Sequence, residues 1–219
     1  MKHIVITGGS NGIGWALVKE LYDENTIYIL DMTEPQAKHK HIRFIKTNIS
    51  DEKDVAQAFK QIPKVDILIN NAGVMRRGAL LTSTISDYDL LFNVNLKGSW
   101  IALREAHHKL TKDAQVIQMS SRHGVEPKTD PALYSLTKYS VEKMARLFEE
   151  TYKVTTKIAS PGPVLTNLSK EGYSDEAYFK RTLEKPENIA KKIVMLINSN
   201  KRRLLFNDKK QKYYFKRKL

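Results

Sequence analysis

Thr7-Gly8-Gly9-Ser10-Asn11-Gly12-Ile13-Gly14 follows directly on the apolar run His3-Ile4-Val5-Ile6 and opens a helical pattern over residues 12–23. Glycines at such a junction allow positive φ and let the backbone approach a ligand closely. The helix start behind them offers unpaired N–H groups and a partial positive charge, which suit a pyrophosphate. The spacing is T-G-x-x-x-G-x-G, not G-x-G-x-x-G. On its own the stretch also fits a plain tight strand-to-helix turn.

The same alternation continues outward. Short apolar runs predict strands at 3–6, 26–30, 42–46, 65–69, 115–119 and 155–159, and amphipathic segments predict helices near 12–23, 52–61, 86–110, 131–152, 175–182 and 186–198. Several runs are continuously apolar, as in strands covered on both faces, so the pattern implies an α/β parallel sheet with crossover helices. Asp51 and Ser86 read as N-caps. The connection 31–41 is too short for a full crossover helix.

Composition sets outer bounds. The chain has 219 residues, 41% hydrophobic and 28% charged, which fits one globular domain over 1–219. The longest apolar stretch, Ile193–Ile197, cannot cross a bilayer, and no apolar signal-peptide core precedes Thr7, so no membrane role is expected. Cysteine is absent, which excludes disulfides and cysteine-based zinc sites; no metal is expected, and a cytoplasmic location is. The net charge is +13, but residues 201–219 hold nine Lys or Arg against Asp208 alone. That basic C-terminal segment, with Tyr213, Tyr214 and Phe215 interleaved, has the make-up of a nucleic-acid contact. A solvated basic end is the preferred reading, and nucleic acid is not expected as a partner.

Further residues carry chemistry. Asp31 closes the second strand, where an acid accepts ribose hydroxyls and repels a 2′-phosphate; Ser10, Asn11, Met32 and Thr33 nearby are neutral. This favours NAD(H), with NADP(H) left open by Lys38 and Lys40. An Asp that merely caps a turn is the alternative. Tyr134 and Lys138 stand four residues apart, on one face of a helix. A nearby ammonium stabilises a phenolate, making the tyrosine a usable general acid or base. The pair also fits an ordinary half-exposed helix. Ser121 follows the strand 115–119, thirteen residues before Tyr134, and Asn70-Asn71-Ala72-Gly73 follows the fourth strand at the same sheet edge. Asn95 lies inside a helical segment, where a local irregularity would let it hold a water.

Together TGGSNGIG (7–14), Asp31, NNAG (70–73), Asn95, Ser121, YSLTK (134–138) and PGPVLT (161–166) resemble the short-chain dehydrogenase/reductases with a Y-x-x-x-K active site, and KPENIAKKI (185–193) extends the likeness. The resemblance implies a Rossmann-type doubly wound parallel sheet in three α/β/α layers. It implies an NAD(P)(H)-dependent oxidoreductase interconverting a secondary alcohol and a ketone or aldehyde. Asn95, Ser121, Tyr134 and Lys138 would be its catalytic residues. The dinucleotide would meet Gly8, Ser10, Asn11, Gly12, Ile13, Gly14, Asp31, Asn48, Ile49, Asn71, Ala72, Gly73, Tyr134, Lys138, Pro161, Gly162, Val164 and Thr166. Substrate contacts are expected from Met75, Arg76, His123, Pro163, Leu168 and Tyr173, with 167–184 as a lid. A homodimer through helices 86–110 and 131–152 is expected, and a tetramer is not, because the V-D-G-G ending common in the family is missing. One short last strand, at Leu204–Phe206 or Tyr213–Phe215, is expected instead. The competing reading is a catalytically silent dinucleotide-binding protein on the same fold.

Overall fold

A computed structural model describes residues 1–126, 128–170 and 183–219. Eight strands form one sheet in the order β3-β2-β1-β4-β5-β6-β7-β8. They are β1 (His3–Thr7), β2 (Thr26–Asp31), β3 (Ile42–Lys46), β4 (Val65–Asn70), β5 (Leu110–Met119), β6 (Thr155–Ser160), β7 (Arg203–Asn207) and β8 (Lys212–Lys216). Every pairing is parallel except that of β7 with β8. The order reverses direction at β1, so a crevice opens between the carboxyl ends of β1 and β4.

Alternation along the strands builds two cores. Ile4, Ile6, Ile27, Ile29, Ile67 and Ile69 face α1 (Gly12–Leu21) and a long helix near the C-terminus, where Leu17, Ile189, Ile193 and Leu196 meet them. Val5, Leu30, Val65, Leu68 and Val116 face the other way, onto α2 (Glu52–Lys60) and α4 (Ser99–His107) through Val55, Phe59, Ile101 and Leu103. Burying each such side chain contributes about 1.5–3 kcal/mol, so both faces are strongly held. The expected three-layer, doubly wound architecture is the one observed.

Several local expectations are refined. Asp51 caps α2 as expected, accepting from the N–H groups of Lys53 and Asp54. Ser86 does not cap: α3 (Ile85–Leu91) starts at Thr84, whose side chain pairs reciprocally with Asp87 in a capping box. The single helix expected over 86–110 is α3, then a π-helical stretch Phe92–Gly98 holding Asn95, then α4. β5 therefore begins at Leu110 rather than 115, with a register shift against β4 between Val65 and Ile67. No helix joins β2 to β3. The remaining helices among the described residues are α5 (Arg122–Val125), α6 (Ala132–Tyr152), α7 (Asn167–Lys170) and α8 (Pro186–Ile197). The helix expected at 175–182 lies outside the described residues.

The C-terminal expectation of one strand is corrected. Both apolar triplets are strands, and they pair as an antiparallel hairpin on the sheet edge. The basic segment is thus partly built into the fold: Arg203 is buried against Glu142 of α6, and Arg202 pairs with Glu149 at 3.1 Å. Among the described residues no helix is long and apolar enough to cross a membrane.

Candidate active site

The glycine turn is shaped by contacts from the β4 end. Gly8 (φ +64°) and Gly12 (φ +54°) take left-handed conformations. A Cβ on Gly8 would sit 2.8 Å from the Ala72 Cα. Thr7 Oγ1 accepts from the N–H groups of Asn71 (2.9 Å) and Ala72 (3.0 Å), and Asn71 Nδ2 donates to the carbonyls of Thr7 (3.0 Å) and Gly8 (2.9 Å). Thr7 was not singled out in the sequence, although a hydroxyl at the strand end is what the clamp requires. The first turn of α1 carries no acid, and the Asn11 side chain makes no capping bond, so no side chain competes for its N–H groups.

One cleft of about 460 Å³ runs along the carboxyl edge of the sheet. Gly8, Asn11, Gly12, Ile13, Asp31, Asn48 and Ile49 line its β1–β3 side; Asn71, Ala72 and Gly73 line the middle. Ser121, Tyr134, Lys138, Pro161, Gly162, Val164 and Thr166 line the β5–β6 side. Three expected contacts lie behind the wall. Ser10 is buried, with its N–H given to Asp31 Oδ2 at 3.0 Å and its hydroxyl to the Thr33 carbonyl at 2.6 Å. Gly14 packs so closely that a Cβ would come 2.0 Å from the Gly8 carbonyl oxygen. Asn95 is fully buried and reaches the cleft only through its neighbours. All three shape the wall instead of forming it.

Asn95 is held at each end. Its Oδ1 accepts from Val74 N–H at 2.8 Å, and its Nδ2 donates to the Val74 carbonyl at 2.9 Å and to Thr137 Oγ1 at 3.1 Å. The π-helical stretch turns this polar side chain inward, because the wider turn changes the facing of residue 95. Thr137 Oγ1 in turn donates to the Tyr134 carbonyl at 2.8 Å. A Cβ on Gly73 would lie 3.2 Å from Asn95 Oδ1 and 3.3 Å from Lys138 Nζ, so the three converge.

Tyr134 and Lys138 share one face of α6 and both are buried. The Lys138 ammonium lies 5.7 Å from the centre of the Tyr134 ring and donates to the Met119 carbonyl at 3.2 Å. Burial pushes Lys138 from 10.5 down to about 8. Ser121 starts α5, its hydroxyl accepting from His123 N–H at 3.3 Å. The His123 ring meets the Tyr134 ring edge-on at 5.8 Å. Burial, then Arg122 and Lys128, hold His123 down at about 4, against the opposing pull of Asp208. Its Nδ1 is buried with no hydrogen-bond partner.

Of the expected substrate contacts, Met75, His123, Pro163 and Leu168 line the cleft. Arg76 does not: its guanidinium donates to the Met75 carbonyl at 3.0 Å, while Arg77 pairs with Asp130 at 2.7 Å. Tyr173 and most of the expected lid lie outside the described residues. Among the described residues no cluster of His, Asp or Glu could hold a metal ion.

A glycine turn under a helix start, an acid closing the neighbouring strand and a buried Tyr–Lys pair thus line one crevice. The chain belongs to the short-chain dehydrogenase family, whose model matches residues 2–177. A human protein described as dehydrogenase/reductase SDR family member 11 is 28% identical over 228 aligned positions, covering 89% of this chain and 88% of that one. Two solved structures share the fold at a TM-score of 0.79: a short chain dehydrogenase family protein from Francisella tularensis (23% identical, 90% of each chain) and an alcohol dehydrogenase from Thermococcus sibiricus, complexed with 5-hydroxy-NADP (22% identical, 91% of each chain).

Proposed function

We propose that this chain interconverts a secondary alcohol and a ketone or aldehyde with a nicotinamide dinucleotide, using Tyr134 as general acid and base. The observation that carries this is the Tyr134–Lys138 pair, buried in the same cleft as the glycine turn. The cleft fits the dinucleotide: its volume of about 460 Å³ lies in the ligand range of about 300–1,000 Å³, and the helix start beside the glycine turn carries no acid in its first turn. A nicotinamide held there would supply or accept the hydride.

The chain's own residues do the rest. Tyr134 hands a proton to the substrate oxygen in reduction and takes it back in oxidation. Lys138 lends positive charge that eases loss of that proton and has donors left for ribose hydroxyls. Ser121 orients the substrate oxygen, and Asn95 holds the backbone at Val74 beside the ammonium, where it would hold a proton-relaying water. Gly12, Ile13 and Asn11 would take the pyrophosphate; Asp31, Asn48 and Ile49 would take the adenosine; Pro161, Gly162, Val164 and Thr166 would take the nicotinamide end, all of them lining the cleft. Met75, His123, Pro163 and Leu168 face the substrate, with His123 neutral at physiological pH, so it recognises a polar group without attracting an anion.

Asp31 supports NAD(H). The arginine and lysine that line the cleft, Arg122 and Lys138, sit by the end of β5, three strands away from Asp31 on β2, or about 14 Å at the usual strand spacing. No cation is therefore placed for a 2′-phosphate among the described lining residues. NADP(H) is measured alongside, since the Thermococcus relative was solved with an NADP analogue. Exposed Trp100 and Leu136, with Tyr139 and Leu147 along α6, support a homodimer through this face, whereas Leu103, Val141 and Phe148 belong to the interior. A cysteine-free chain suits a reducing cytoplasm.

The test is a screen of carbonyls and alcohols with both cofactors, repeated with Tyr134→Phe. Turnover should fall by about 10²–10⁴-fold with dinucleotide binding retained. Unchanged turnover in the variant overturns the proton donor. Binding without turnover in the unaltered chain favours the silent dinucleotide-binding reading.

A further inference from the structure

The C-terminal hairpin reaches the cleft wall at two points. Gly162 N–H donates to Tyr213 Oη at 3.0 Å. The Phe206 ring lies on the same glycine, where a Cβ would come within 2.6 Å of it, so only glycine permits that approach. Phe206 and Tyr213 are cross-strand partners with ring centres 5.0 Å apart. Glu184, a charged neighbour of Tyr213, brackets the same loop through its backbone: its N–H donates to the Pro163 carbonyl (3.1 Å), and its carbonyl accepts from Leu165 (2.9 Å). Lys192 of α8 pairs with Glu184 and lies 5.1 Å from the Tyr213 ring centre. Burial raises the Tyr213 phenol well above its ordinary range, so it stays a neutral hydroxyl that accepts from Gly162 N–H.

The second point is the hairpin turn. Asp208 accepts from Arg122 Nη1 at 2.6 Å and lies 3.5 Å from Lys128 Nζ. Arg122 N–H donates to the Pro161 carbonyl at 2.8 Å, so the loops after β5 and β6 are tied to each other as well as to the hairpin.

We propose that the β7–β8 hairpin is a positioning device for the cofactor cleft, with Tyr213 fixing the Gly162 backbone and Asp208 fixing Arg122 at the end opposite Asp31. This rests on the dinucleotide reading of the cleft. A backbone N–H committed to Tyr213 holds the loop in one orientation, and Val164 and Thr166 on that loop are aimed with it. Loss of the acceptor leaves a partly buried N–H without its partner, and the loop re-orients to find another. The adenosine side, at the other end of the sheet on β1–β3, has no contact with the hairpin among the described hydrogen bonds.

The experiment is calorimetric binding of NADH and of ADP-ribose, which lacks the nicotinamide, to Tyr213→Phe and Asp208→Asn, with melting curves for each. Tyr213→Phe keeps the ring and removes one oxygen. NADH should bind about five- to tenfold more weakly and ADP-ribose within about twofold of the unaltered chain. Asp208→Asn should move the same ratio in the same direction. Equal weakening of both ligands, or no change in either variant, would make the hairpin a merely structural element and overturn the proposal. Failure of the unaltered chain to bind either ligand would instead overturn the dinucleotide reading, and the hairpin's role with it.

Discussion

Lys138 and Lys157 are both almost inaccessible, at 5% and 3% exposure, and burial pushes both from 10.5 down to about 8. Their surroundings differ. Lys157, on β6, donates to the carbonyls of Leu196 (2.8 Å), Ile197 (2.8 Å) and Ser199 (2.7 Å), so all three ammonium donors are used. The carbonyls of Leu196 and Ile197 end α8, where the helix presents its negative pole, and that of Ser199 lies just beyond it. Lys138 has one protein acceptor, Met119, at the longer distance of 3.2 Å, and faces the cleft. A buried cation with its donors filled is part of the framework. A buried cation left under-satisfied beside a crevice is costly to the fold and belongs to the site.

Substituting the two lysines should therefore produce opposite losses. Lys138→Met should lower turnover by about 10²-fold or more, as expected for dismantling a general acid–base pair. Its melting temperature should hold or rise, because removing an under-compensated buried charge is often neutral or stabilising. A large fall in melting temperature with turnover preserved would invert the contrast. A pH profile sharpens it further. Burial disfavours the charged form, so Lys138 loses its proton near pH 8 instead of 10.5. Below that value the ammonium is present; above it the charged fraction falls about tenfold per pH unit. The kcat/KM for carbonyl reduction, which reports on the free enzyme, should fall as pH rises through about 8, and a profile flat well above that would remove Lys138 as the controlling group.

Much of the site was legible because its signals are local. The glycine turn, the acid closing β2 and the Tyr–Lys spacing each lie within one strand–turn–helix unit. The irregularity at Asn95 was legible too: asparagine is a poor residue for a helix interior, and a widened turn gives its amide room to bond the neighbouring loop. Thr84 was missed as a cap although Asp87 three residues on gives the capping-box spacing; Ser86 competed for the same role. The hairpin was missed for a physical reason. Its turn has no Asn-Gly or Asp-Gly pair, and Gln211 supplies the positive φ (48°) where glycine or asparagine is usual. Tyr213 and Lys157 were illegible because their partners lie about fifty and forty residues away and are backbone groups, which leave no trace in side-chain pattern.

The Lys157 half of the contrast can be tested without any substrate. Lys157→Met keeps most of the apolar stem but takes the ammonium donor from three carbonyls around the end of α8, of which, among the described residues, only that of Leu196 also accepts from Ser199 N–H (3.2 Å) and Ser199 Oγ (3.0 Å). Part of the loss is returned, since the ammonium no longer has to be desolvated, and water reaches Ser199 at the helix end more easily than the deeper carbonyls. A net cost of about 2 kcal/mol is expected, from charged hydrogen bonds worth about 1.5–3 kcal/mol each less that return. For a domain of this size that lowers the melting temperature by about 4–8 °C. Turnover per folded molecule should not change, because the contacts of α8 with α1 lie on the sheet face built around Leu17 and Ile193, away from Tyr134 and Lys138 on α6. Lys157→Arg adds the discriminating arm. Its planar fork cannot aim three donors at three carbonyls from one nitrogen. It should recover only part of the lost stability while keeping the charge, which separates the geometry of the cap from the charge alone.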